Sequence, residues 1–137
     1  MLYIGVDLGT SAVKMLLMDG NGKIEKIVSK EYPLSFPHPG WSEQKPEDWW
    51  EQSMAGLKEL TSECDKSKIA GISFGGQMHG LVVLDKDDNV IRPAILWNDG
   101  RTGKETEYLN NVIGKDKLSQ YTANIHLRAL RHPRSCG

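Results

Sequence analysis

Short runs of apolar residues alternate with turn residues over the first thirty positions, a pattern typical of β-strands. Apolar residues dominate 1–6 and 13–18, and they alternate with charged residues over 23–30. Between the second and third runs, Asp-Gly is followed directly by Asn-Gly, and both pairs tolerate the positive φ of a tight hairpin turn. The pattern predicts three antiparallel strands joined by short turns.

A helical pattern follows a proline-rich segment. Residues 32–41 contain three prolines and a glycine, which favour an extended loop. Pro46 suits a first helical turn, and the two acidic residues after it suit the positive end of the helix dipole. We expect a helix from there to about Glu63, with Trp49 and Trp50 explained by packing. Its apolar face is predicted to carry Trp50, Met54, Leu57 and Leu60 or Thr61.

The second half of the chain reads as strands, turns and short helices. Because the strand expected at 69–74 follows a helix, it should lie parallel to an earlier strand. Another strand is expected at 81–84, extended chain at 90–97, and a polar turn after it. Thr102 can cap a helix reaching about Asn111, with a short helix at 115–120. The order β-β-β-α-β indicates a mixed α/β fold.

Composition narrows the class of protein. The 137 residues fit one domain, and 39% apolar with 26% charged residues exclude a disordered, collagen-like or disulfide-scaffold chain. Seventeen basic against eighteen acidic residues leave no basic excess for nucleic-acid binding. The apolar runs are too short to span a membrane, and two cysteines without metal spacing or a secretory signal suggest a reducing compartment. We expect a cytoplasmic protein without a nucleic-acid or membrane partner.

The first candidate for chemistry is the turn between the first two predicted strands. Asp7 offers a carboxylate that could hold Mg²⁺ through water, since Mg²⁺ prefers oxygen ligands. Gly9 lets the backbone approach a phosphate closely, and Thr10 and Ser11 add hydroxyl and amide donors. Lys14 is close enough in sequence to add positive charge, although strand alternation could turn it outward. An ordinary hairpin explains this short motif equally well.

The second candidate is Gly-Gly-Gln-Met-His-Gly at 75–80, directly after the predicted parallel strand. Open α/β sheets place ligands at such strand ends. Gln77 and His79, on either side of Met78, can both donate and accept hydrogen bonds, which suits a polyhydroxylated ligand. Taken alone, a glycine-rich loop with a solvated histidine accounts for the same residues.

The third candidate combines Trp97, Asn98, Asp99 and Arg101. An indole beside amide, carboxylate and guanidinium groups suits a carbohydrate, whose apolar ring face stacks while its hydroxyls bind polar groups. A turn with Asp99 paired to Arg101 and the tryptophan in the core explains them as well. The segment 41–44 (Trp-Ser-Glu-Gln) is a weaker fourth candidate.

Four stretches in this order carry a family resemblance. They are residues 3–11, 38–44, 77–80 and 93–101, the last reading Pro-Ala-Ile-Leu-Trp-Asn-Asp-Gly-Arg. Together they resemble the FGGY carbohydrate kinases, most closely the xylulose kinase branch, over about residues 1–127. The first stretch is shared across the actin, sugar-kinase and chaperone ATPase superfamily, whereas the last two are more specific. The resemblance implies an incomplete actin-like ATPase, ribonuclease H-like α/β domain with a mixed sheet.

The resemblance also implies a reaction, the transfer of a phosphoryl group from ATP to D-xylulose with Mg²⁺, which depends on positioning and charge neutralisation. Asp7 would lie near the metal and the transferring group. The implied ATP-phosphate contacts are Gly9, Thr10 and Ser11, with Lys14 as added charge. The implied sugar-site residues are Gln77, Met78, His79, Trp97, Asn98, Asp99 and Arg101.

The family's general base is an aspartate in a later segment, and its nucleotide is held largely by a second domain. Both would lie beyond residue 137, so we expect this chain alone to be inactive or nearly so. A kinase for another sugar or polyol, and a non-catalytic sugar-binding fragment, stay open as alternatives. The sequence is compatible with a homo-oligomer.

The last ten residues depart from the family. We expect 1–127 to belong to the first kinase domain and 128–137 to be a disordered, frameshift-derived tail. Permitted codons for this tail, read in another frame, give Gly-Phe-Thr-Ala-Pro-Lys-Ile-Leu-Trp, with which the family continues. Sequencing the coding DNA tests this hypothesis, because an intact frame without downstream kinase sequence would contradict it.

Overall fold

A computed structural model describes residues 1–122 of the chain. This part contains six strands, three α-helices, a 3₁₀ turn and a π-helical turn. The strands are β1 (Leu2–Leu8), β2 (Ala12–Asp19), β3 (Ile24–Glu31), β4 (Glu43–Gln44), β5 (Ile69–Gly76) and β6 (Ala94–Ile95). The helices are α1 (Pro46–Leu60), α2 (Gly103–Tyr108) and α3 (Lys115–Thr122), with the 3₁₀ turn at Lys66–Lys68 and the π-helical turn at Leu109–Gly114.

The main sheet has the strand order β3-β2-β1-β5, with β1, β2 and β3 antiparallel and β5 parallel to β1. The hairpin turn between β2 and β3 uses the Asp19 carboxylate, whose Oδ1 accepts from the amides of Asn21 and Lys23 at 2.8 and 2.9 Å. Gly22 there has φ +85°, which glycine adopts at little cost. Both the three antiparallel strands and the parallel crossover are confirmed.

The core lies between this sheet and α1, because alternate side chains of β1 and β2 face the helix. Gly56 allows the close approach, since a Cβ there would lie 2.9 Å from the Met15 sulfur. The proline at the start of α1 and the acidic residues after it confirm the predicted helix start. The buried apolar cluster consists of Ile4, Val6, Val13, Met15, Leu17, Val28, Tyr32 and Leu60.

The predicted apolar face of α1 is wrong for Trp50 and Met54. Trp50 is 68% exposed and Met54 is also exposed. The face that packs instead contains Trp49, Gly56, Leu57 and Leu60. Because Trp49 and Trp50 are adjacent, two different faces of the helix look equally apolar in the sequence. Gly56 identifies the face that packs only when its contact with Met15 is known. The helix ends at Leu60, before the predicted Glu63.

The strand predicted at 81–84 is also wrong. Isolated bridges join Leu81 to Ile95 and Leu84 to Val90, and no continuous ladder forms at these residues. Of the extended chain predicted at 90–97, only Ala94–Ile95 is a strand, and it pairs with β4. Pro93 has no N–H to donate to a ladder, which limits pairing before that point.

The chain after the polar turn is helical, although not as predicted. Thr102 stands at the N-cap of α2 without a side-chain cap bond; its carbonyl accepts from the Thr106 amide and hydroxyl at 3.0 and 2.8 Å. The helix expected to reach Asn111 gives way to the π-helical turn, and α3 follows close to its predicted position. The expected tail at 128–137 lies outside the described residues. No described helix has the length and apolar character needed to cross a membrane.

Candidate active site

The turn between β1 and β2 is closed by its own backbone. The Gly9 amide donates to the Ala12 carbonyl at 3.0 Å, and a Cβ on Gly9 would lie 2.9 Å from that oxygen. The Tyr32 hydroxyl donates to the Gly9 carbonyl, and the Tyr32 amide donates to the Ser11 carbonyl at 3.2 Å. The end of β3 therefore supports the turn from beneath, and only glycine fits at position 9 without displacing backbone.

We expect Gly9→Ala to lower the free energy of unfolding by about 2 kcal/mol, because the added methyl group collides with a backbone oxygen that cannot rotate away. Gly75→Ala is the matched control, since nothing lies within 4 Å of a Cβ built there. It should change stability by less than about 0.5 kcal/mol. Urea unfolding of both variants measures the difference, and equal costs would contradict the steric argument.

Tyr32 is buried, and burial together with the nearby Asp7 carboxylate raises the pKa of its hydroxyl to about 12. Both effects act in the same direction, because a phenolate is disfavoured by loss of water and by a neighbouring negative charge. At neutral pH the phenol therefore keeps the proton that it donates to Gly9. Asp7 thus lies close enough to the turn to influence it electrostatically.

This shift predicts a loss of stability in alkali. The pKa of Tyr32 in the folded chain lies above that of an unfolded tyrosine. The contribution of the protonated Tyr32 hydroxyl to the free energy of unfolding is therefore fully present below about pH 10 and is lost as pH rises toward 12. The free energy of unfolding lost in this way is at most about 3 kcal/mol. In urea unfolding at about pH 8 and about pH 11, Tyr32→Phe should lose less stability between the two pH values than the parent chain. Tyr108 is exposed, so Tyr108→Phe is the control. An equal effect from both variants would show that Tyr32 is not the source of the loss of stability in alkali.

Asp7 and Lys14 are direct partners across β1 and β2, and both are exposed. They line an open cavity of about 520 Å³ together with Gly5, Ser73 and Gly75. Within residues 1–122, no group of three or more histidine, cysteine or acidic side chains could hold a metal. A single exposed carboxylate suits a Mg²⁺ ion that arrives with phosphate oxygens and keeps most of its water; it does not suit a resident metal.

Hydrogen bonds join the three motif segments. Gln44 Nε2 donates to the Thr10 carbonyl at 2.7 Å, and Gln77 Nε2 donates to Gln44 Oε1 at 3.2 Å. Trp97 Nε1 donates to Thr10 Oγ1 at 3.2 Å. The Gln77 amide also donates to the Leu8 carbonyl at 2.8 Å, next to the turn. The turn at 9–11, the loop at 75–80 and the segment beginning at Trp97 therefore meet at one place.

Met78 and His79 extend from this junction into solvent. Met78 is 68% exposed, and His79 is also exposed and has φ +61°. A left-handed backbone at a non-glycine residue is uncommon and is often found at functional positions. Gln77 is thus the anchored residue of the loop, and the two residues after it are presented to solvent.

Asp99 and Arg101 form a buried ion pair, and Asp99 is only 4% exposed. Arg101 reaches both carboxylate oxygens, at 2.8 and 2.6 Å, and the Ser42 amide donates to Asp99 Oδ2 at 2.7 Å. Burial alone would raise the pKa of Asp99, but the bonds from Arg101 and Ser42 outweigh it and hold that pKa below its ordinary value. The hydrogen bond to Asp99 raises the pKa of Arg101. Arg101 also pairs with Glu43 at 2.7 Å.

The same arginine supports an open aromatic cavity of about 490 Å³, lined by Phe36, His38, Trp41 and Asn98 among others. The Arg101 guanidinium carbon lies 3.8 Å from the centre of the Trp41 ring, and His38 meets that ring edge-on at 4.6 Å. Asn98 is exposed, whereas its neighbour Asp99 is turned into the ion pair. The segment 97–101 therefore divides into exposed and supporting residues.

Comparisons with known proteins identify the family. A sequence profile described as the FGGY family of carbohydrate kinases, N-terminal domain, matches residues 2–129. The chain belongs to the FGGY family of carbohydrate kinases. A xylulose kinase of Bacillus subtilis is 47% identical over 96% of this chain and 26% of its own length. This FGGY chain spans about a quarter of the length of the curated relatives it matches.

Solved structures of FGGY proteins share the fold. A structure described as a xyloylose kinase of Brucella ovis superposes with a TM-score of 0.84 at 39% identity, over 95% of this chain and 27% of that one. A gluconate kinase of Lactobacillus acidophilus gives 0.81 at 34% identity, over 87% of this chain and 24% of that one. The expected fold class, an actin-like ATPase and ribonuclease H-like α/β domain, is confirmed.

The FGGY chain brings some of the predicted site residues together and keeps others apart. Thr10, Gln77 and Trp97 are joined by hydrogen bonds, directly or through Gln44. Asp7 and Lys14 line one cavity, while Asn98 lines another. Sequence reasoning missed Tyr32 beneath the turn and gave Gln44 little weight.

Proposed function

We propose that this chain supplies the sugar loops and the phosphate turn of a kinase that transfers a phosphoryl group from ATP to D-xylulose. The observation that carries the proposal is the junction at Gln44, which joins the phosphate turn to the loop of Gln77. A kinase needs its phosphate donor and its acceptor hydroxyl held next to each other. Xylulose kinases among the matched relatives support this choice of acceptor.

On the phosphate side, we assign Asp7 to Mg²⁺ and to the transferring group. Gly9, Thr10 and Ser11 would receive the phosphate oxygens, and Lys14 would add positive charge from the next strand. Mg²⁺, when bound with ATP, neutralises the charge of the phosphate oxygens. The tight backbone at Gly9 and the open cavity beside Asp7 support this assignment.

On the sugar side, we assign direct contacts to the exposed members of the motifs. Met78, His79 and Asn98 are the residues whose exposure permits contact with a ketose. Gln77 and Trp97 would reach the sugar from the junction. Asp99 and Arg101, occupied with each other and with Glu43, would buttress the pocket by fixing the turn that carries Asn98.

Two measurements on the purified chain test the proposal. Calorimetry should detect D-xylulose binding, while a coupled assay for ADP should show turnover near background, since general-base help is worth roughly 10²–10⁴-fold. His79→Ala, at an exposed position of the sugar loop, should weaken D-xylulose binding, with Lys66→Ala in the 3₁₀ turn, also exposed, as the control. Binding that is unaffected by His79→Ala would contradict the assignment of the loop to the sugar. If D-xylulose does not bind at all, the chain does not have the proposed function.

A second acceptor is favoured by one comparison. The gluconate kinase of Lactobacillus acidophilus is 34% identical to this chain with a TM-score of 0.81, so the fold itself accommodates a sugar acid. Calorimetry with D-xylulose, D-ribulose, gluconate and glycerol on the same preparation separates the two acceptors. We expect D-xylulose to bind most tightly, and tighter binding of gluconate would replace it as the substrate.

A further inference from the structure

We infer that Gln44 is a positioning residue, whose single side-chain amide holds the phosphate turn and the sugar loop in fixed register. This inference rests on the proposed function for the names of those two segments. Gln44 is only 2% exposed, in the two-residue strand β4. Its neighbour Glu43 pairs with Arg92 and Arg101, so the strand supplies polar side chains to two separate networks.

The amide of Gln44 uses all of its hydrogen-bonding capacity. Nε2 donates to the carbonyls of Thr10 and Pro33 at 2.7 and 3.3 Å. Oε1 accepts from Trp49 Nε1 and Gln77 Nε2 at 3.0 and 3.2 Å. A glutamine amide offers two donors and two acceptor sites, and each has a partner here.

Three of these partners fix the orientation of the amide. The carbonyls of Thr10 and Pro33 can only accept, and the Trp49 indole can only donate. Exchanging the oxygen and nitrogen of Gln44 would therefore leave three bonds unmade. The remaining acceptor site is then available to Gln77, so the amide can hold the loop only in the orientation that also holds the turn.

The partners of Gln44 lie in three separate places, although the turn and the loop follow two paired strands, in which Leu8 is the register partner of Gly76. Thr10 lies in the turn between β1 and β2, Gln77 follows β5, and Trp49 lies in α1. The Gln77 amide donates to Leu8, so the loop is tied to β1 by its backbone and to Gln44 by its side chain. This network favours one arrangement of the Gln44 amide, because exchanging its oxygen and nitrogen would leave further desolvated groups without partners beside Gln77 Oε1, which is buried and has no partner among the described residues.

Amide hydrogen exchange on the isotopically labelled chain tests the inference without any ligand. Gln44→Met keeps the size of the side chain and removes all four bonds. We expect it to accelerate exchange at the Gly9 and Gln77 amides about tenfold, with less than roughly a twofold change in the middle of β1 and β2. Gln52→Met in α1, whose side chain has no hydrogen bond among the described residues, is the matched control and should change neither amide.

Two outcomes of this experiment would overturn the inference. An equal acceleration at every amide of the sheet would make Gln44 a residue of general stability only. Unchanged exchange at Gly9 and Gln77 would show that the amide holds neither segment.

Gln77→Met keeps the test decisive if Gln44→Met does not fold, since it removes only one bond from a partly exposed side chain. If Gln44 couples the loop of Gln77 to the turn of Gly9, the Gly9 amide should exchange at least roughly twofold faster in Gln77→Met than in the parent chain. An acceleration confined to Gln77 would overturn the coupling.

Calorimetry with D-xylulose separates this inference from the proposed function. Absence of binding by the parent chain counts against the proposed function, while the exchange pattern still decides the role of Gln44. Binding that Gln44→Met weakens by about tenfold supports both. Equal binding by the parent chain and Gln44→Met supports the sugar site and overturns the positioning role.

Discussion

Asp99→Asn is expected to lower the free energy of unfolding by about 3 kcal/mol or more. The asparagine keeps the shape of the side chain and removes its charge. Arg101, whose side chain is only 11% exposed, then remains between Trp41 and Glu43 with one carboxylate instead of two. The cost comes mainly from that incompletely compensated guanidinium.

The hydrogen bonds around Asp99 make the stability lost in Asp99→Asn larger than the loss of a single contact would be. Asp99 accepts from the amides of Ser42 and Arg101 and from the Arg101 side chain. An asparagine in either orientation directs an N–H group toward one of these donors. We therefore expect the turn at 97–101 to loosen together with the loop that carries Trp41.

Asp87→Asn provides the matched control. Asp87 pairs with Lys86, and both side chains are largely exposed, so this substitution should cost less than about 0.5 kcal/mol. Urea midpoints of the parent chain and the two variants give the comparison. Costs within error of each other would show that the Asp99 pair contributes no more than a surface pair.

Met15→Ala is expected to cost about 3 kcal/mol, because Met15 is fully buried beneath α1 and its removal leaves a cavity. Its contact with Gly56 makes a sharper prediction available. Gly56→Ala should destabilise the parent chain by about 1 kcal/mol, since the new methyl group meets the Met15 sulfur. In the Met15→Ala background that sulfur is gone, and the same change should stabilise by about 1 kcal/mol through helix propensity.

A double-mutant cycle of thermal or urea unfolding measures this reversal of sign. Met54→Ala, on the exposed side of the same helix, is the control and should cost less than about 1 kcal/mol. Additive effects of Met15→Ala and Gly56→Ala would contradict the proposed contact between helix and sheet.

The parts of the fold that could be predicted are those specified locally. Alternation and two glycine-containing pairs define the first three strands, and Pro46 defines the start of α1. The face of α1 could not be predicted, because its correct phase depends on Gly56 meeting Met15 across about forty residues of sequence. The strand expected at 81–84 failed because apolar residues there lack a neighbouring ladder.

In the candidate site, too, the features that could be predicted are local and those that could not depend on distant contacts. The motif residues around Gly9, Gln77 and Trp97 could be selected because glycine, amide and indole groups carry recognisable chemistry. The importance of Gln44 for the site could not be predicted, since a polar residue just before a helix is usually exposed to water. Its partners Thr10 and Gln77 are more than thirty residues away in opposite directions, and only the folded chain brings them together.

Strand β5 forms an edge of the main sheet, and its register sets Ile72 beside Ile4 and Phe74 beside Val6. These two side chains therefore point to the same side as the core, yet they are 46% and 66% exposed. Any polypeptide packed against them would enlarge the core and stiffen β5, which ends at Gly76, directly before Gln77. Covering Ile72 and Phe74 would thus also restrict the motion of the loop at 77–80, which continues from this strand.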